Sequence, residues 1–139
     1  MSTSSDELTG AVVGLFAAIN RRYAHEYEAA AAAHELTTLQ AKALLAAENS
    51  VPTRSVAESL GAEPSNVTAI IDRLESRGLV ERRPAPGDRR IKLVAATAAG
   101  RTVTADLRAR TPFASAPLHR LTTQQRETLH RLLQLMLDA

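Results

Sequence analysis

Ser65, Asn66 and Thr68 place three short polar side chains within about one helical turn, and Arg73, Arg82, Arg83, Arg89, Arg90 and Lys92 follow close behind. Hydroxyl and amide groups of that size can bond the edges of bases, whereas arginine and lysine neutralise phosphates. From Arg73 to Lys92, seven basic residues stand against three acidic ones (Glu75, Glu81, Asp88), a local +4 in a chain of net charge +2. A basic segment on a slightly acidic remainder is the footprint of a phosphate-binding surface. Arginine outnumbers lysine fifteen to two; this favours bidentate and minor-groove contacts, although a codon-composition bias gives the same ratio.

Other chemistries find little support. There is no G-x-S-x-G, no P-loop and no H-E-x-x-H, and His25 with Glu28 supplies two possible metal ligands where a site needs more. No catalytic residue, metal or cofactor is therefore expected. The chain has no cysteine, which removes disulfides, thiolate metal sites and thiol sensing. The acidic start MSTSSDELTG lacks the basic n-region of a signal peptide, and the uncharged run Leu8 to Asn20 is too short to span a bilayer. A cytoplasmic protein without membrane contact is the expectation. With 139 residues, 45% of them apolar, there is material for one domain with a real core.

The elements that must hold the polar and basic groups lie in TRSVAESLGAEPSNVTAIID, Thr53 to Asp72. Ala57 is small enough for a second helix to cross closely, Gly61 suits a left-handed helix stop, and Pro64 suits the first position of a new helix. Val67, Ile70, Ile71 and Leu74 form an apolar stripe, leaving Ser65, Asn66 and Thr68 on another face. This is the layout of a helix-turn-helix, whose second helix enters the major groove by its N-terminal residues. Gly78 caps that helix, Leu79 and Val80 start a strand, and Ile91, Leu93 and Val94 mark its return. Pro84, Pro86, Gly87 and Asp88 between them read as a turn too long for a two-residue hairpin. An arginine-bearing hairpin right behind a helix-turn-helix is a wing, suited to the minor groove.

The flanks are helical. Ser4 and Ser5, then Asp6 and Glu7, mark a helix start, and Leu8, Val12, Leu15, Phe16, Ile19, Tyr23 and Tyr27 recur at helical spacing up to Ala29 to Ala33. After a break near His34, Thr37 and Gln40 form a capping box with Leu36 as staple. Leu39, Ala43, Leu44 and Ala47 are the buried positions of that second helix; Asn49, Ser50 and Pro52 end it, and Thr53 caps the next. Thr97 caps a helix carrying Val103 and Leu107, and Thr111 to Pro117 is a linker or kink. Thr122 and Gln125 form a second capping box ahead of the stripe Leu129, Leu132, Leu133, Met136 and Leu137. A first helix without a partner in a small winged domain, and a chain ending on exposed leucines, both point to a subunit interface.

LTTLQAKALLAA, SVAESLGAEPSNVTAIIDRLESRGLVERRPAPGDRRIKLVAAT and the terminal helices together resemble the MarR family of bacterial transcription regulators over nearly the whole chain. The most specific part is RLESRGLVERRPAPGDRR, with a D-x-R signature at Asp88 and Arg90. The resemblance implies a mainly α fold with a small β-wing and a homodimer. Residues 1–36 would form a dimerisation helix, residues 37–97 the winged DNA-binding lobe, and residues 98–139 further dimerisation helices. It implies a repressor that binds a palindromic operator in double-stranded DNA and is released by a small aromatic or anionic effector. Base and phosphate contacts fall on Ser65, Asn66, Thr68 and Arg73, the minor-groove contact on Arg90 with Arg89 beside it, and Asp88 holds the wing arginine or its loop. Arg82, Arg83 and Lys92 are added phosphate contacts. Arg21, Arg22, Tyr23 and His25 on the first helix could line an effector pocket, but a solvated face is the simpler reading. Ala69 stands where many members carry arginine, so a major-groove guanine contact is missing, and Ala96-Thr97 replaces the usual leucine-threonine. The competing reading is a winged-helix module that binds protein without specific DNA binding.

Overall fold

The computed structural model describes residues 2–138, with side chains from Ser4, as seven helices and one three-stranded sheet. The elements are α1 (Ser2–Ala32), α2 (Thr38–Ala46), β1 (Val51–Pro52), α3 (Thr53–Leu60), α4 (Pro64–Ser76), β2 (Val80–Ala85), β3 (Asp88–Ala96), α5 (Ala98–Arg110), α6 (Pro112–Ser115) and α7 (Thr123–Leu137). The antiparallel sheet has the order β1-β3-β2. This is the expected winged helix-turn-helix: mainly α with a small β-wing.

Local chemistry accounts for most helix ends. Thr37 accepts from Gln40 N–H (3.1 Å) while the Gln40 side chain accepts from Thr37 N–H (3.0 Å). Thr122 and Gln125 repeat the reciprocal pair before α7. Thr97 accepts from Gly100 N–H, and its own hydroxyl donates to Gly78 O at 2.6 Å, tying α5 to the end of α4. Gly61 closes α3 at φ 61°, and Ala62 N–H reaches back to Ala57 O. Pro64 opens α4, where its missing N–H leaves nothing unsatisfied.

The core belongs to the winged lobe. Leu44, Val56, Val67, Ile71, Leu74 and Val94 are fully buried, joined by Leu107 from α5. Val67, Ile71 and Leu74 share one face of α4, and burying each contributes about 1.5–3 kcal/mol. Ile70 packs at the margin of this core.

Several local expectations give way. Leu39 is exposed and Ala41 takes the buried position on α2, because the helix turns Ala41 and Leu44 toward α4. Thr53 is the first residue of α3, not its cap; Pro52 stands at the cap and offers no side-chain acceptor. It does so because Val51 and Pro52 are drawn into an unforeseen strand against Val94 and Leu93. The segment after Thr111 contains a helical turn, α6, whose N–H groups at Phe113 (3.1 Å) and Ala114 (2.8 Å) are met by the Glu26 carboxylate from α1. The first helix starts at Ser2, ahead of the serines expected to start it.

The flanks bury little. Leu8, Val12, Val13, Leu15 and Ile19 on α1 are exposed, and so are Leu132, Leu135, Met136 and Leu137 on α7, which has no buried residue. Among the described residues, no helix is long and apolar enough to cross a membrane.

Candidate nucleic-acid interface

The buried stripe of α4 orients what lies opposite. With Val67, Ile71 and Leu74 turned inward, Ser65, Asn66, Thr68, Ala69 and Arg73 are all exposed. The N-terminus of α4 lacks a side-chain cap, so its free N–H groups and the positive end of the helix dipole face the same solvent. Thr68 donates its hydroxyl to Pro64 O (3.0 Å), which fixes the rotamer and leaves its oxygen lone pairs facing outward.

The wing differs from its expected shape. Ala85 pairs with Asp88, so the turn is only two residues, Pro86 and Gly87, an arrangement typical of a type II turn with Gly87 at φ 86°. The extra length moves into β3. Pro84 pairs with Lys92 and the next residue, Ala85, with Asp88, so Arg89, Arg90 and Ile91 bulge out without cross-strand partners. The edge position of β2 tolerates Pro84.

Asp88 organises this bulge. Its Oδ1 accepts from Arg90 N–H (3.0 Å) and Nε–H (3.2 Å), while the Arg90 side chain stays 92% exposed. The Arg90 guanidinium holds the Asp88 carboxyl below its ordinary range. Asp88 is thus placed to aim Arg90, whose side chain stands out in solvent from the bulge of the wing.

The other basic residues divide. Arg73, Arg89 and Lys92 are exposed and have no acidic partner among the described residues. Arg83 is half exposed and pairs with Glu81. Arg82 departs from its expected place as a free phosphate contact. Its guanidinium bridges Asp72 and Glu75 at 2.6 Å each, bolting β2 to α4, because both carboxylates stand on the face of α4 that the wing strand crosses. Arg77, though exposed, bonds the turn that follows α1.

Arg54 was not singled out from the sequence. It is exposed on the first turn of α3 and, with Arg90, Lys92, Pro52, Thr53 and Ile91, lines a groove of about 410 Å3 between that turn and the wing. As the single basic residue in TRSVAESL, it carries no signal until β1 brings Pro52 beside β3.

A second cavity, of about 420 Å3, lies between α1, α2 and α3, lined by Tyr23, Tyr27, Lys42, Leu45, Ala46, Ser59 and Leu60. The Lys42 ammonium stands 4.9 Å from the Tyr27 ring centroid, and burial pushes the Tyr27 hydroxyl pKa up. Of the first-helix residues considered for a pocket, Tyr23 lines this cavity. Arg22 stacks on Phe113 at 4.3 Å, and Arg21 and His25 face solvent.

Residues 36–92 match the family model described as MarR family. Among solved structures the chain is similar to CouR from Rhodococcus jostii RHA1 bound to p-coumaroyl-CoA (28% identity, TM-score 0.71, covering 94% of this chain and 92% of that one). It is equally similar to a MarR-family transcriptional regulator from Silicibacter pomeroyi (28% identity, TM-score 0.71, 94% and 90% covered). A mutant of MarR from E. coli complexed with operator DNA (24% identity, TM-score 0.64, 92% and 94% covered) shares the fold. No curated protein matches the chain.

Proposed function

We propose that the chain, whose residues 36–92 match the MarR family model, is a homodimeric, sequence-specific DNA-binding repressor of that family, released by a small aromatic or anionic effector. The observation that carries this reading is one of orientation. The polar face of α4, Arg73 and the aimed Arg90 are all exposed, and so are Leu8, Val12, Leu15 and Ile19 of α1 and Leu132, Leu135, Met136 and Leu137 of α7. Residues 37–97 act as the reading lobe; residues 1–36 and 98–139 supply the pairing region.

In this reading Ser65, Asn66 and Thr68 contact base edges, and Arg90 enters the minor groove with Arg89 beside it. Arg73, Arg83, Lys92 and the newly placed Arg54 neutralise phosphates, so affinity falls steeply with salt. Arg82 serves by holding the wing at its angle to α4. The pairing of two lobes sets half-site spacing at about one helical turn, roughly 34–36 Å. The cavity at Tyr23, Tyr27 and Lys42 is the candidate effector site: two rings offer stacking and the ammonium pairs an anion. The aromatic thioester bound by the relative CouR supports that class of ligand.

Selection of bound fragments from random duplex DNA tests the reading. Enrichment of an inverted repeat with half-sites about one turn apart is expected. Recovery of no common sequence would refute it. Benzoate titrated into the resulting complex should release the DNA for the intact chain and fail to do so for Lys42→Met.

A further inference from the structure

Arg77 ends the recognition helix with its positive charge turned away from the DNA-reading face. Its guanidinium donates to His34 O at 2.9 Å and to Glu35 O at 3.0 Å. These carbonyls lie in the turn between α1 and α2, where Glu35 holds a left-handed backbone at φ 55°. The same turn is gripped from the other side. His34 Nε2 lies 2.6 Å from Asp106 Oδ2 on α5, and Arg110 Nε donates to that oxygen at 2.7 Å. One two-residue junction therefore holds α4 through its backbone and α5 through its side chain, at the end of the long first helix.

We infer that Arg77 is a positioning residue: it couples the tilt of the recognition helix to the α1–α5 arm through the His34–Glu35 turn. The inference rests on the DNA-binding reading and concerns how that reading is set. The buried stripe of α4 ends at Leu74, one turn before Arg77; beyond it Arg82 and Thr97 tie the helix end to the wing and to α5, and the forked guanidinium of Arg77 ties it to the turn after α1. Such a fork fixes direction as well as distance, which a lysine cannot do. A helix of 13 residues is about 20 Å long. A tilt of roughly 5° at the Arg77 end would move the Ser65 end by well over 1 Å, enough to spoil hydrogen bonds that tolerate a few tenths of an ångström. Displacement of the α1–α5 arm, by an effector or by the partner copy, would reach the reading face by this route.

The test compares Arg77→Ala, Arg77→Lys, Asp106→Ala and Arg73→Ala in the full-length chain. The probes are the duplex that the unaltered chain selects from random DNA and a scrambled duplex of equal length, each across a salt series. Arg77→Ala and Arg77→Lys should both lose roughly tenfold in affinity for the selected duplex, the scale of a lost charge-assisted hydrogen bond. Binding to the scrambled duplex and the salt slope should stay unchanged. Arg73→Ala should instead weaken both duplexes and lower the slope by about 0.9, as one lost phosphate contact does. Asp106→Ala should reproduce the Arg77 effect, and the double variant should lose no more than either alone, because both cut one chain of contacts. Full affinity in Arg77→Lys with a lowered slope in Arg77→Ala would overturn the proposal and make Arg77 a phosphate contact. Additive losses in the double variant would also overturn it, and so would unchanged binding in Arg77→Lys and Asp106→Ala should Arg77→Ala fail to fold. An unaltered chain that selects no duplex would instead remove the DNA-binding premise itself.

Discussion

The winged lobe and the terminal helices obey opposite accounts of burial. In the lobe, every element turns an apolar face toward a neighbour in the same chain, and Leu44, Val56, Val67, Ile71, Leu74 and Val94 lose essentially all contact with water. In α1 and α7 most of the large aliphatic residues stay in solvent: Leu15 is 64% exposed and Leu137 is 83% exposed. Large apolar side chains left open in such number along two helices point to an interaction surface. The core of the lobe is thus closed within one copy, with Ala30 and Ala31 of α1 and Leu107 of α5 completing it, whereas the outer apolar residues of α1 and α7 are left open. In the proposed dimer, a lobe packed within its own chain is mounted on helices that pair, so it can be repositioned without being unfolded.

Removal of the residues after Gln124 should break the comparison most severely. It deletes nearly all of α7, which contributes nothing to the core of its own chain. Sedimentation should show complete loss of dimer, while circular dichroism shows the lobe still folded; a surviving dimer would contradict the assignment of α7. The opposite result is expected from Gly100→Ala. A Cβ at that position would lie 2.0 Å from Leu79 O, where α5 crosses the start of the wing. The lobe should lose about 3 kcal/mol, seen as a melting temperature lowered by roughly 10 °C.

Smaller effects sharpen the contrast within the lobe. Arg90→Ala should weaken binding to the selected duplex by about 1–3 kcal/mol and leave the dimer intact, as a gel shift and a sedimentation run together would report. A still smaller effect concerns Glu48, at the end of α2. The Arg108 guanidinium, with Thr104 beside it, holds its carboxyl below the ordinary range. A depressed carboxylate stabilises the fold above its unfolded-state pKa and loses that contribution as pH falls through the lowered value. Unfolding midpoints measured from about pH 6 to pH 3 should therefore fall with acid, and Glu48→Gln should flatten part of that fall.

What was legible in the sequence shares one property: the partners lie close in the chain. The capping boxes at Thr37 and Thr122, the stop at Gly61 and the start at Pro64 each involve residues no more than a turn apart. The stripe of α4 is legible for the same reason, and it places Ser65, Asn66 and Thr68 on the free face. The features that escaped are set by distant partners. Val51 and Pro52 are too short a run to read as a strand without Leu93 and Val94. The turn at α6 needs Glu26 from far upstream. Arg77 and Arg82 look like members of a basic patch until His34, Glu35, Asp72 and Glu75 claim them. The wing misled differently: its prolines suggested a long turn, whereas the tertiary register puts the slack at Arg89 to Ile91.

The mass of the complex with the selected duplex, taken by native mass spectrometry across a protein titration, addresses the pairing of two reading heads most directly. Two chains per duplex are expected at every ratio, with no one-chain species on the way. A stable complex of one chain per duplex would contradict the account.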